Sequence, residues 1–264
     1  MRVPEEYVVD EVLSPGPFVF VARGRRNDGE PCVLKGAATT RGLGAVEREA
    51  AVLRALGAAG VRGVPRLLDV WDEGFAAAWL PHGTLRAAGP LFGDVGARNA
   101  IAHHAFARLA EIHAARHVSG AALGVVHGDV SPDNVYVPAD ASGVTFADFG
   151  LARWTNGPVP EAGAFRGTLG YAAPEVVRAE PFDARADDFA LAASLLHIAT
   201  GIALYADAGS EAANLVRAGT TALDASHPWR ALASKLFNFT TAEALLACLA
   251  FDARDRPRET PRPC

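Results

Sequence analysis

The sequence predicts an α+β fold in two unequal lobes, and three observations carry that prediction. Five short apolar runs separated by turn-forming residues fill the first 80 residues, one helix-periodic stretch interrupts them, and beyond Leu85 the apolar pattern becomes helical. The runs are Tyr7 to Leu13, Phe18 to Ala22, Pro31 to Ala37, Arg66 to Val70 and Phe75 to Leu80. Gly-Pro, Asn-Asp-Gly and Asp-Glu-Gly punctuate them, as antiparallel strands with tight connections require. Between the third and fourth runs, Gly44 to Leu56 repeats Val46, Ala50, Leu53 and Leu56 at helical spacing, which sets one helix within a five-stranded sheet.

Pro81 to Thr84 reads as the hinge, so the chain is expected to form one domain with an N-lobe over 1–80 and a C-lobe over 85–264. Past the hinge, Arg98 to His117 carries Ile101, Ala105, Leu109 and Ile112 on one stripe, and short strands are expected at Gly124 to Val126, Val135 to Val137 and Val144 to Ala147. Asp187 to Thr200 is apolar nearly all round, as a helix buried in the centre of a helical lobe should be, and Ala242 to Ala250 forms a further helix. The Gly/Pro-rich stretch Thr155 to Gly163 reads as a mobile loop between motifs.

Composition narrows the function classes. With 50% hydrophobic and 21% charged residues the chain is globular, and a net charge of -5 gives it no general attraction for nucleic acid. Cys32, Cys248 and Cys264 form neither a ligand set nor a disulfide framework. The acidic start MRVPEEYVVDEV is unlike a secretory leader, and no stretch approaches 18 apolar residues, so a cytoplasmic chain without a membrane span is expected. His103, His104, His113 and His117 read as helix-surface or satisfied core residues, with no zinc site.

The polar residues point to phosphoryl transfer. That chemistry needs an acid or base at the incoming hydroxyl, oxygen ligands for magnesium on the nucleotide phosphates, and a cation to fix those phosphates. His127-Gly128-Asp129-Val130-Ser131-Pro132-Asp133-Asn134 and Asp148-Phe149-Gly150 put Asp129, Asn134 and Asp148 at the mouths of neighbouring strands, and Lys35 stands at the end of a third. Glu49 on the following helix is the expected partner of Lys35, with Glu47 taking its place if the helix is rotated.

In this order the motifs resemble those of eukaryotic-type Ser/Thr protein kinases, and the chain is similar to a bacterial member of that family with a divergent glycine-rich loop. Cys32-Val33-Leu34-Lys35 is similar to the family's strand-three motif, His127 to Asn134 to its catalytic loop, and Gly167-Thr168-Leu169-Gly170-Tyr171-Ala172-Ala173-Pro174-Glu175 to the end of its activation segment. The resemblance implies the two-lobed protein-kinase-like fold, with ATP and Mg2+ as cofactors and Mn2+ as a substitute. It also implies that Asp129 orients a Ser or Thr hydroxyl of a protein substrate, Lys35 and Glu49 serve the ATP phosphates, and Asn134 and Asp148 hold the metal. Leu53, His127 and Phe149 would stack as a spine, Thr168 and Asp187 would order the catalytic loop, and Arg256 would pair with Glu175. Gly16, Val21, Val33, Ala77 and Tyr136 would surround the nucleotide, Ala77 as a small gatekeeper opening a rear cavity.

Several positions depart from the family pattern. In the glycine-rich loop Ser14, Gly16 and Val19 stand where three glycines belong, with Pro15 and Pro17 beside the one retained, so phosphate loses backbone amides; an ordinary hairpin turn is the competing reading. Val33 and Tyr136 crowd the adenine site. Gly128 replaces the arginine that pairs with a phosphorylated loop, leaving Thr155 as the autophosphorylation candidate, and Ser131 replaces a lysine beside the transferring phosphate. These departures keep two alternatives open, a pseudokinase acting as nucleotide-binding switch or scaffold and a small-molecule hydroxyl kinase. A regulatory protein partner supplied from elsewhere is a further expectation.

Overall fold

Strands β1 (Tyr7–Pro15), β2 (Val19–Arg26), β3 (Pro31–Ala37), β4 (Leu67–Trp71) and β5 (Gly74–Ala78) form an antiparallel sheet in the order β1-β2-β3-β5-β4. The computed structural model describes residues 3–155, 157, 167–205 and 226–261, so Cys264 and most of the stretch from Thr155 to Gly163 lie outside the described residues. β3 runs between two strands, and its period-two alternation sorts its side chains. Cys32 and Leu34 join Tyr7, Ala22 and Ala76 in a small core on one face, which leaves Val33 and Lys35 to point the other way, into the cleft.

Helix α1 (Thr40–Ala58) packs on that second face, burying Val46, Glu49, Leu53 and Leu56. It starts ahead of the expected Gly44 because the Thr39 side chain accepts a hydrogen bond from the Gly42 amide and caps the helix there. The Ala38 amide donates to the Phe18 carbonyl, which seats the β1–β2 turn against the start of the helix.

After β5 the segment 79–82 belongs to no strand, although the Trp79 amide donates to the Pro31 carbonyl, and β6 (Gly83–Thr84) already pairs with β7 (Val135–Val137), which in turn pairs with β8 (Thr145–Phe146). The crossing between lobes therefore overlaps the expected hinge but ends before Gly83. The larger lobe is helical: α2 (Val95–His113), α3 (Pro174–Val177), α4 (Arg185–Thr200), α5 (Pro228–Leu236) and α6 (Phe239–Cys248). Every residue of α4 from Ala186 to Leu196 is buried, as its all-round apolar sequence predicts.

Three expectations need correction. Gly124 to Val126 is not a strand: Gly124 has φ 60° and only Val126 forms a bridge, to Arg153. α2 stops at His113, because the chain then turns back to bridge Arg116 with Ala122. α5 escaped the periodicity reading because Pro228 looks like a breaker; it sits in the first turn, where proline costs no hydrogen bond. Among the described residues no helix is long and apolar enough to cross a membrane.

Candidate active site

The cleft between the lobes holds a three-membered charge cluster. Lys35 Nζ lies 2.6 Å from Glu49 Oε2 and 2.8 Å from Asp148 Oδ1. Glu47 is exposed, so Glu49 is the glutamate that α1 turns inward. Burial disfavours the Lys35 ammonium, but the charges of Glu49 and Asp148 outweigh it and raise its pKa above the ordinary value. Burial pushes the Glu49 carboxyl up to about 7 against the pull of Lys35. Burial also opposes ionisation of Asp148, yet Lys35 prevails and holds that carboxyl below its ordinary range. One cation thus faces two carboxylates, and Glu49 is the member that protonates first. Asp148 has φ 64°, a left-handed backbone that a non-glycine residue adopts at some cost, and the turn it makes aims the carboxylate at Lys35.

A cavity of about 180 Å³ opens beside this cluster. Leu13, Val21, Val33, Ala77, Leu80 and Tyr136 line its apolar part, with Val33 and Ala77 directly paired across β3 and β5. Leu53, Pro65 and Phe75 line it too, so the volume behind the small Ala77 side chain belongs to the cavity. Burial, with the Asp148 charge adding to it, raises the Tyr136 phenol above its ordinary pKa. Gly16 lies apart from this lining, at the β1–β2 turn, where a Cβ would come within 2.7 Å of the Val19 carbonyl oxygen. The hairpin turn itself accounts for that glycine.

Asn134 lines the cavity, and its neighbours Asp129 and Thr168 line a second hollow beside it with Gly128 and Asp187. Asn134 Nδ2 donates to the Asp129 carbonyl at 2.9 Å and to Asp129 Oδ2 at 3.2 Å, leaving the Asn134 amide oxygen as its free ligand atom. Thr168 Oγ1 donates to Asp129 Oδ1 at 2.8 Å. Burial raises the Asp129 carboxyl, and the Thr168 hydrogen bond opposes the rise. The oxygen donors of Asp148 and Asn134 fit a hard divalent cation such as Mg2+, which keeps several waters and phosphate oxygens as its other ligands. Ser131 is 1% exposed, so its hydroxyl is enclosed in the loop and is not available as the phosphate donor expected from sequence.

Behind the loop, Asp187 accepts from the His127 amide at 2.7 Å, the Gly128 amide at 2.9 Å and His113 Nε2 at 2.9 Å. Gly128 has φ 80°, and a Cβ there would sit 2.9 Å from the Leu151 carbonyl oxygen, so an arginine at this turn would strain it. The His127 ring lies 4.5 Å from the Phe149 ring at a tilt of 44°, both fully buried, while Leu53 is buried in the same core as Phe149. Arg256 reaches both Glu175 oxygens, at 2.5 and 2.9 Å, with its side chain fully enclosed. Thr155 is exposed.

Two polar contacts were invisible to sequence reasoning. Arg48, one residue before Glu49, donates to the Gly150 carbonyl at 2.8 Å and ties α1 to the Asp148 turn. His113, one of the histidines read as helix-surface or satisfied core residues, is of the second kind, its largely buried ring hydrogen-bonding to both Asp187 and Thr260. Nothing in the local sequence marked the particular partner of either residue.

The two-lobed architecture with a charged cleft is that of the protein kinase fold. The chain belongs to the protein kinase domain family, whose pattern it matches over residues 98–260, beyond the sheet lobe. It is similar to the serine/threonine-protein kinase PknJ of Mycobacterium tuberculosis, 41% identical over 100 residues that make up 36% of this chain and 17% of that protein. It is also similar to the calcium/calmodulin-dependent protein kinase type II subunit delta of Oryctolagus cuniculus, 32% identical over 213 residues, 76% of this chain and 38% of that one. The chain thus spans well under half the length of these relatives.

Proposed function

We propose that the chain moves the γ-phosphoryl group of ATP to Ser or Thr hydroxyls of a cytoplasmic protein substrate, its two lobes acting as one catalytic unit. The observation that carries this reading is the convergence of Lys35, Glu49 and Asp148 on a cavity that Asn134 also lines, with Asp129 hydrogen-bonded to Asn134. Bound ATP supplies the group to be transferred, and Mg2+, or Mn2+ in its place, neutralises the phosphates. Lys35 fixes the non-transferring phosphates once Glu49 shares its charge. Asp148 and the Asn134 amide oxygen hold the metal. Asp129, positioned by Thr168 and Asn134, receives the acceptor hydroxyl and orients its proton away from the reacting oxygen. Val21, Val33, Ala77 and Tyr136 enclose the base.

Radiolabelled ATP, offered with basic and acidic generic proteins and with an aminoglycoside and choline panel, tests this beside D129N. Label in protein that D129N abolishes supports it, with nucleotide binding retained in D129N and weakened in D148N. Equal turnover by wild type and D129N refutes the role of Asp129. Label only in small molecules, or nucleotide binding with no transfer, refutes the protein-kinase reading.

A further inference from the structure

The outer face of the catalytic loop carries a polar chain that the transfer chemistry leaves unused. Arg86, just after β6, donates from Nε to Asp133 Oδ1 at 2.8 Å and from Nη2 to Asp133 Oδ2 at 2.7 Å. Its amide donates to the Pro132 carbonyl, which fixes its backbone to the same loop as Asp129. Asp133 first and Tyr171 after it raise the Arg86 pKa, which places Tyr171 near the guanidinium, and the Tyr171 hydroxyl lies 2.8 Å from His197 Nδ1. Tyr171 belongs to the segment whose Thr168 touches Asp129, so Arg86 stands near that segment as well as the loop.

The carboxylates of this region are each paired with an arginine. Asp133 has both oxygens hydrogen-bonded to Arg86. Glu175 is committed to Arg256, Glu180 to Arg178, and Asp183 to Arg185. Among the described residues, this side therefore offers no spare carboxylate to a basic peptide. The guanidinium is half exposed and has five N–H groups, of which two serve Asp133. The others can donate to a ligand carboxylate.

We propose that Arg86 sets the substrate class of this site: an acceptor hydroxyl in a peptide with acidic flanking residues, one of whose carboxylates Arg86 binds. This rests on the phosphotransfer reading above and deepens it. It also implies a latent second state, because removing Arg86 would release Asp133 to attract a basic flank.

The test uses one peptide backbone with a single Ser or Thr and with Glu, Ala or Lys placed at each flanking position in turn. Steady-state transfer by wild type should rank Glu above Ala above Lys at the responsive position, by about three- to tenfold overall and chiefly in KM, as suits a half-exposed ion pair. High salt should flatten the ranking. R86A should reverse it in favour of Lys, and R86A/D133A should remove it. Transfer with no charge ranking, or a ranking that R86A leaves in place, overturns the proposal. Binding of the same peptides, followed by fluorescence anisotropy without nucleotide, separates it from the phosphotransfer reading. If no peptide is labelled above the D129N background, that reading fails; Arg86-dependent binding of the Glu peptide then upholds the proposal, and its absence overturns it.

Discussion

The Glu49 carboxyl, buried and pushed up to about 7, makes metal–nucleotide binding depend on pH in a direction opposite to stability. Below pH 7 Glu49 is protonated, and Lys35 is left to pair with Asp148, the carboxylate proposed to hold the metal. Above pH 7 ionised Glu49 shares Lys35 and frees Asp148. The ionised fraction of a group with this pKa changes by about 30-fold between pH 5.5 and pH 8, so affinity for Mg-ATP should rise by up to that factor over the range. For the protein alone the sign reverses. A carboxyl raised from 4.5 contributes stability that is full below pH 4.5 and is lost as pH climbs through 7, which costs about 2 kcal/mol between pH 5.5 and pH 8. Calorimetric titration of wild type, E49Q and D129N across that range checks both signs. E49Q should bind weakly and without this pH slope, while D129N, whose own carboxyl is raised by burial, should keep it. A slope of the same size in E49Q, or an affinity that rises as pH falls, refutes the reasoning.

Breaking the Glu175–Arg256 pair by E175Q or R256M should cost about 3–5 kcal/mol, since the enclosed partner keeps its charge without compensation. The double variant should recover much of that loss in urea melts, although the Ala250 and Phe251 carbonyls would still lose Arg256. G128A should destabilise by about 1–2 kcal/mol through its left-handed backbone, and a melt unchanged from wild type would contradict the turn geometry. Adenine analogues bearing a bulky group aimed behind Ala77 should bind wild type, and A77M should lose them by at least about tenfold; equal binding would mean that the space is not used.

Strands such as Pro31–Ala37 and Val135–Val137 were legible because short apolar runs end abruptly at turn-forming residues, and that contrast is local. The buried α4 was legible because apolar residues all round a helix admit only one environment. Gly124 to Val126 failed because a run that short fits strand, bridge or loop equally well. At the site, the ordered motifs placed Lys35, Asp129, Asn134 and Asp148 around one cleft. The contacts of Arg48 with Gly150, of His113 with Asp187 and of Arg86 with Asp133 were not legible. Each joins residues tens of positions apart, and neither partner is unusual in its own segment. The same limit hid the enclosure of Ser131, since side-chain direction within a loop follows from the packing around it.

The cleft is short of positive charge, and the shortage has a structural cause. Among the described residues Lys35 is the cation paired with Glu49 and Asp148, while Arg48 is tied to the Gly150 carbonyl and the two positions that would add cations hold Gly128 and Ser131. Gly128 is dictated by its left-handed turn, and Ser131 is folded inward, so neither substitution can be offset by a small movement of its side chain. Arg86 stands close by but is committed to Asp133 on the outer face of the loop, where it meets the acceptor chain and not the nucleotide. Under the proposed function, neutralising a triphosphate then falls on the divalent cation that Asp148 and Asn134 would hold. A missing charge at the transferring phosphate is worth about 3 kcal/mol, the cost of removing one preorganised donor from a site of developing charge. The proposed transfer is therefore expected to be slow and strongly metal-dependent, with rate limited at the Ser131 position and with the selectivity proposed for Arg86.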